Sequence, residues 1–100
     1  MLDQGRWEGR QIVDARWIQD STLRVDRGLR VWSGRTFDYG SLWWMTTDGA
    51  GDIITASGAQ GQWISVSPRL QLVVVSTADD DARATSAVEF LFTHIIPSVQ

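Results

Sequence analysis

Ala56-Ser57-Gly58-Ala59-Gln60-Gly61-Gln62, set between two apolar stretches, holds the residues of this chain best suited to chemistry. Small side chains let main-chain N–H groups come close to a ligand. Taken by itself, the Gly58 to Gln62 loop also reads as no more than a hairpin connection of small residues. Ser57 offers a hydroxyl, but a serine attacks only when a base activates it. All nine basic residues are arginines, so no lysine is present, and His94 is the single histidine. His94 falls late in an amphipathic stretch and no Gly-x-Ser-x-Gly elbow exists, which argues against a Ser-His-Asp triad. Ser57 is therefore read as a hydrogen-bond donor to a substrate. The loop has neither the lysine nor the spacing of a phosphate loop. Asp79-Asp80-Asp81 lacks the alternation of a calcium loop, and three acids opening a helix fit as partners of its dipole. No metal site and no cofactor are expected.

The elements that would position this loop follow from the hydrophobic pattern. Asp14 is a good helix N-cap, with Val13 and Ile18 spaced as a hydrophobic staple, so a short helix is expected over Ala15–Ser21. Residues 22–37 contain Gly28, Gly34 and four arginines without a sustained period, and read as loop with a short extended piece over 29–32. Beyond them come aromatic and apolar runs separated by turn-forming clusters: 39–46, 52–57, 62–67 and 70–77. Leu72-Val73-Val74-Val75 is apolar at consecutive positions, as in a strand covered on both faces, so this strand is expected inside the sheet. Trp43 and Trp44 are adjacent and should face opposite sides of the sheet. A helix is expected near 81–96, stopped by Pro97, with an apolar stripe of Ala84, Val88, Leu91 and Ile95 widened by Ala87 and Phe90. The expected class is α+β, an antiparallel sheet of about four strands covered by a C-terminal helix.

One hundred residues build at most one core. Six tryptophans are many for this length and need either a large core or an adjoining surface to cover them. A net charge of -3 with scattered arginines argues against a nucleic-acid partner. The absence of cysteine removes disulfide and thiolate chemistry. The N-terminus lacks the apolar stretch of a signal peptide, no run reaches the roughly 18 residues of a membrane span, and the compartment is left open.

Several separated segments, in order, resemble the C-terminal quarter of the serine beta-lactamase and penicillin-binding-protein superfamily, in the branch of carboxylesterases and 6-aminohexanoate-dimer hydrolases. These are Gly5-Arg6-Trp7-Glu8-Gly9-Arg10-Gln11-Ile12-Val13 followed by Trp17-Ile18, Tyr39-Gly40-Ser41-Leu42-Trp43-Trp44, Gly58 to Gln62, Pro68 to Val75, and Ile95-Ile96-Pro97-Ser98-Val99. The resemblance implies a partial beta-lactamase-like fold in which Ala56-Ser57-Gly58 stands where beta-lactamases carry Lys-Thr-Gly. The Ala59 backbone N–H would be one oxyanion donor, and Ser57, Gly58, Gly61 and Gln62 would meet a small-molecule ester or amide. Alanine in place of that lysine removes the cation that would hold a substrate carboxylate, which points to an ester or amide hydrolase rather than a true beta-lactamase. The family loop carries glycine at the place of Gln60, so a positive φ there would strain this residue. The nucleophilic Ser-x-x-Lys and the tyrosine motif are absent from these residues, so the chain is expected to be the C-terminal segment of such an enzyme, inactive alone. The alternative is a non-catalytic binding domain or truncated product, acting through an exposed aromatic sheet face and able to form a homodimer.

Overall fold

The computed structural model describes residues 1–48, 51–79 and 84–100, the side chains of 84–86 excepted. Its centre is a six-stranded antiparallel sheet in which every strand pairs with its neighbours in sequence. The strands are β3 (Asp26–Trp32), β4 (Arg35–Tyr39), β5 (Trp44–Asp48), β6 (Gly51–Ser57), β7 (Trp63–Ser67) and β8 (Leu72–Ser76). Before them, β1 (Arg6–Trp7) and β2 (Arg10–Gln11) form a separate two-stranded ribbon, followed by α1 (Ala15–Ser21). Asp14 caps α1 as expected, its carboxylate accepting the Arg16 N–H at 2.8 Å. After β8, α2 (Ala84–Phe90) continues through a π turn over Leu91–Ile95 into α3 (Ile96–Val99).

The α+β class stands, with six strands in the main sheet rather than about four. The stretch 22–37 is not mainly loop. β3 and β4 pair around Ser33-Gly34, whose φ angles of 48° and 73° make the two-residue type I′ turn that matches strand twist. Glu8-Gly9 (φ 47° and 78°) makes the same kind of turn between β1 and β2. The expected strand 39–46 is divided, because Gly40 to Trp43 form the loop joining β4 to β5, closed by the Gly40 N–H on the Trp43 carbonyl at 2.9 Å. Gly40 is required there by close approach. A Cβ at this position would stand 2.3 Å from the Leu23 carbonyl oxygen. The last strand begins at Leu72 rather than 70, since Gln71 takes φ 52° and its N–H turns back to the Pro68 carbonyl.

The C-terminal helix covers one face of the sheet. Phe37, Ile53 and Trp63 from the strands pack with Val88, Leu91, Phe92 and Ile96 from the helix, and Trp32, Trp44 and Val74 close the edges of this core. Pro97 does not stop the helix. It has no N–H for an α-type bond to Thr93, and the π turn before it, closed by the Ile96 N–H on the Leu91 carbonyl, absorbs that mismatch. Phe92 and Ile96 enter the core, whereas Phe90, expected on the apolar stripe, is exposed and stacks on His94 with centroids 4.9 Å apart. The expected helix start at Asp79-Asp80-Asp81 lies partly outside the described residues.

The opposite face is only partly covered. Met45, Ile54 and Val66 are buried there beneath Met1, Leu2 and Trp43, so Trp43 and Trp44 do face opposite sides. β8 is an edge strand rather than an inner one, because the strands pair strictly in sequence and it comes last. Toward it the same face leaves Ile64, Val73 and Val75 exposed, at 44%, 48% and 61%, so its apolar run is not covered on both faces. No helix among the described residues is long and apolar enough to cross a membrane.

Candidate functional site

The small-residue loop connects β6 to β7. Ser57 is the last residue of β6, paired with Trp63 and exposed to solvent. Gly58 follows in extended conformation, its N–H donating to the Gln62 carbonyl at 2.8 Å. Ala59–Gly61 make one 3-10 turn, with the Gln62 N–H on the Ala59 carbonyl at 3.3 Å. The Ala59 N–H takes part in neither bond, and Ala59 is exposed. Gln60 adopts φ 62°, ψ 24°, the left-handed conformation anticipated as strained for this side chain, and Gly61 follows at φ 80°. Gly61 is buried, and its carbonyl accepts the Ser76 hydroxyl of β8 at 3.1 Å, which anchors the loop to the sheet.

Beside this loop lies an open concavity of about 320 Å³. Gly58 and Gln62 line it together with Trp63, Ile64, Val75, Ser76 and Thr77, and none of these is charged. Thus Gly58 and Gln62 share a concave surface, while Ser57, Ala59 and Gly61 stand outside its lining. The contribution of β8 was not foreseen. It follows from the β7–β8 register, which sets Trp63 against Ser76 and Ile64 against Val75, a pairing readable only once both strand boundaries are known.

An aromatic cluster backs the loop from the helix side. Trp32 meets Phe37, Trp44 and Trp63 edge-on, with centroids 4.8, 5.0 and 5.2 Å apart, and Arg30 lies 5.4 Å from both the Trp32 and Trp44 rings. Trp63 is 8% exposed, and its indole Nε1 has no hydrogen-bond partner, the one such buried side-chain atom among the described residues. His94 is exposed, stacks on Phe90, and has the Thr93 hydroxyl 2.7 Å from its Nδ1.

The strongest charge cluster is structural. Arg24 donates to Asp38 at 2.7 Å, Asp52 at 2.6 Å and the Thr47 hydroxyl at 2.8 Å, joining β4, β5 and β6. Asp38 also accepts the Gly28 N–H at 2.7 Å, at the bulge where β3 slips against β4. That amide bond first, and the Arg24 guanidinium second, hold the Asp38 carboxyl below its ordinary 3.8. The sequence alone assigned Asp38 and Arg24 no role, because their pairing across 14 residues depends on how the strands align rather than on local pattern. Among the described residues no group of three or more His, Cys, Asp or Glu could hold a metal ion. Comparison of the chain with protein-family models, curated proteins and solved structures finds no match.

Proposed function

We propose that this chain acts as the C-terminal segment of a serine hydrolase that cleaves ester or amide bonds through an acyl-enzyme, its nucleophile being supplied by another part of the protein. In this reading the chain furnishes the cleft strand β6, the loop that follows it and one oxyanion donor. The observation that carries it is the Gly58–Gln62 turn, whose Gly58 and Gln62 line an uncharged concavity while Ala59, beside that lining, is exposed and its N–H takes no part in the loop's own backbone hydrogen bonds. Attack on an acyl carbonyl places negative charge on its oxygen, and a preorganised amide lowers the energy of that state without reorganising. The Gln62 amide and the Ser57 hydroxyl are the polar groups assigned to the substrate. The uncharged lining suits a neutral ester or amide.

Two experiments test this. The isolated chain should hydrolyse p-nitrophenyl butyrate no faster than Ser57→Ala. Turnover above that control would mean an independent active site. In a longer product of the same reading frame, a Ser-x-x-Lys upstream is required. There Ala59→Pro removes the N–H at the first position of the 3-10 turn, after a Gly58 whose φ of -105° and ψ of 172° accept a following proline. kcat should fall about 10²–10³-fold. An upstream frame without the motif, or an unchanged kcat, refutes the reading.

A second reading has its own observation. Ile64, Val73 and Val75 form an exposed apolar group on the sheet face opposite the helix, which fits a binding domain that associates with a second copy of itself.

A further inference from the structure

We infer that, where this chain self-associates, it does so through the free edge of β8, which pairs antiparallel with β8 of a second copy. The inference rests on the second reading above and assigns its surface.

The two edges of the sheet differ. β3 is irregular: Asp26 pairs with Tyr39 and Arg30 with Phe37, so the chain between them bulges, and Gly28 sits there at φ 62°. Its sequence carries Asp26, Arg27 and Arg30. Bulges and charges are the devices by which a sheet edge refuses another strand. β8 has none of them. Leu72-Val73-Val74-Val75-Ser76 contains no charge, proline or glycine, and its register with β7 is unbroken from Ser67↔Leu72 to Trp63↔Ser76. In such a strand alternate N–H and C=O groups point away from the sheet, and only another extended backbone satisfies the whole row.

Apolar surface flanks this edge on both sides. Ile64, Val73 and Val75 lie on the open face, and on the helix side Phe90, 55% exposed, borders a groove with Val74 and Val75. With the β3 edge blocked, β8 against β8 is the edge pairing that the main sheet offers among the described residues. An antiparallel pair of identical strands obeys a two-fold axis, so the contact closes on itself as a dimer and does not propagate as a fibre. The open faces of both copies then become one continuous surface. A seam of five residues spans about 17 Å, below the extent of a standard stable interface, so the association is concentration-dependent.

The test is light scattering on the full chain between 10 µM and 1 mM, repeated with Val73→Lys/Val75→Lys. Both positions are about half exposed or more, so lysine is accommodated in the fold, as the far-UV spectrum should verify. The expected result is a dimer whose Kd rises at least tenfold in the double variant. Amide hydrogen exchange supplies a readout on the unaltered chain: residues 72–76 should exchange more slowly at 1 mM than at 10 µM. A monomer throughout the range overturns the self-association reading itself. A dimer indifferent to both lysines, with unchanged exchange in β8, overturns the edge assignment alone.

Discussion

Asp38→Asn tests whether the Arg24 cluster holds the hairpin of β3 and β4 to the rest of the sheet. The Asp38 and Arg24 side chains are 13% and 19% exposed, so their contact at 2.7 Å is largely shielded from water, and the Gly28 amide adds a second charge-assisted bond at 2.7 Å. Removing one partner of a fully buried pair costs about 3–5 kcal/mol. Here asparagine can still accept the Gly28 N–H, and Arg24 retains Asp52 and Thr47. The expected loss is therefore about 2–3 kcal/mol, which for a domain of this size lowers Tm by roughly 10–20 °C. The sign with pH is fixed by the lowered carboxyl pKa. The unfolded carboxyl titrates near 3.8 and the folded one below it, so this stabilisation is fully present above that range and disappears as pH falls through the folded value. Urea unfolding followed by tryptophan emission at pH 7, 5 and 3 should show a gap between parent and variant that is constant from 7 to 5 and narrows by 3. A gap under about 0.5 kcal/mol at pH 7, or one as wide at pH 3, would refute the assignment of Asp38 as the ionised centre of the cluster.

Substitutions at three further positions probe the loops and the core. Gln60→Gly should change stability by under about 1 kcal/mol, since relief of a left-handed side chain is offset by the entropy lost with glycine and by the interaction that Gln60 makes; a loss well above this in urea melts would show that Gln60 holds the turn. Gly40→Ala should cost about 2–3 kcal/mol, because its Cβ meets the Leu23 carbonyl oxygen at 2.3 Å and backbone cannot easily retreat. Trp63→Phe should cost under about 1.5 kcal/mol and Trp63→Ala about 3–5 kcal/mol, because the first retains the ring contact with Trp32 and removes an indole N–H that has no acceptor. Equal losses in thermal melts would mean that the N–H matters.

The parts of the fold that were legible are those where one local rule dominates. Asp14 ahead of Ala15–Ser21, and the apolar runs that became β6, β7 and β8, each announce themselves within a few residues. β3 did not, because its bulge at Gly28 breaks the two-residue alternation and its arginines mimic loop composition. The better signal was Ser33-Gly34, two turn-prone residues between runs that pair as Trp32↔Arg35. Tyr39 to Thr46 misled because Gly40 performs its turn by packing against Leu23, a contact invisible in local pattern. Pro97 misled for the opposite reason, since a strong local rule gave way to a π turn that tertiary packing makes worthwhile. Of the candidate site, the small-residue loop was readable from types and spacing, whereas the left-handed backbone at Gln60 was expected only through the resemblance, whose loop carries glycine there. The β8 side of the concavity was not, because which residues face each other across strands depends on register.

The strictly sequential order of the six strands bears on how the chain reaches its fold. Every ladder from β3 to β8 joins segments separated by a short connection, so each hairpin closes a small loop and the sheet can zip from either end with little entropic penalty per step. The contacts that join residues far apart along the chain are the docking of Val88, Leu91, Phe92 and Ile96 onto Phe37 and Ile53, that of Met1 and Leu2 onto Met45, Ile54 and Val66, and the Arg24–Asp52 pair. Refolding should therefore be quick for a sheet protein. Its slowest phase should report burial of the tryptophans beneath the last helix rather than assembly of strands.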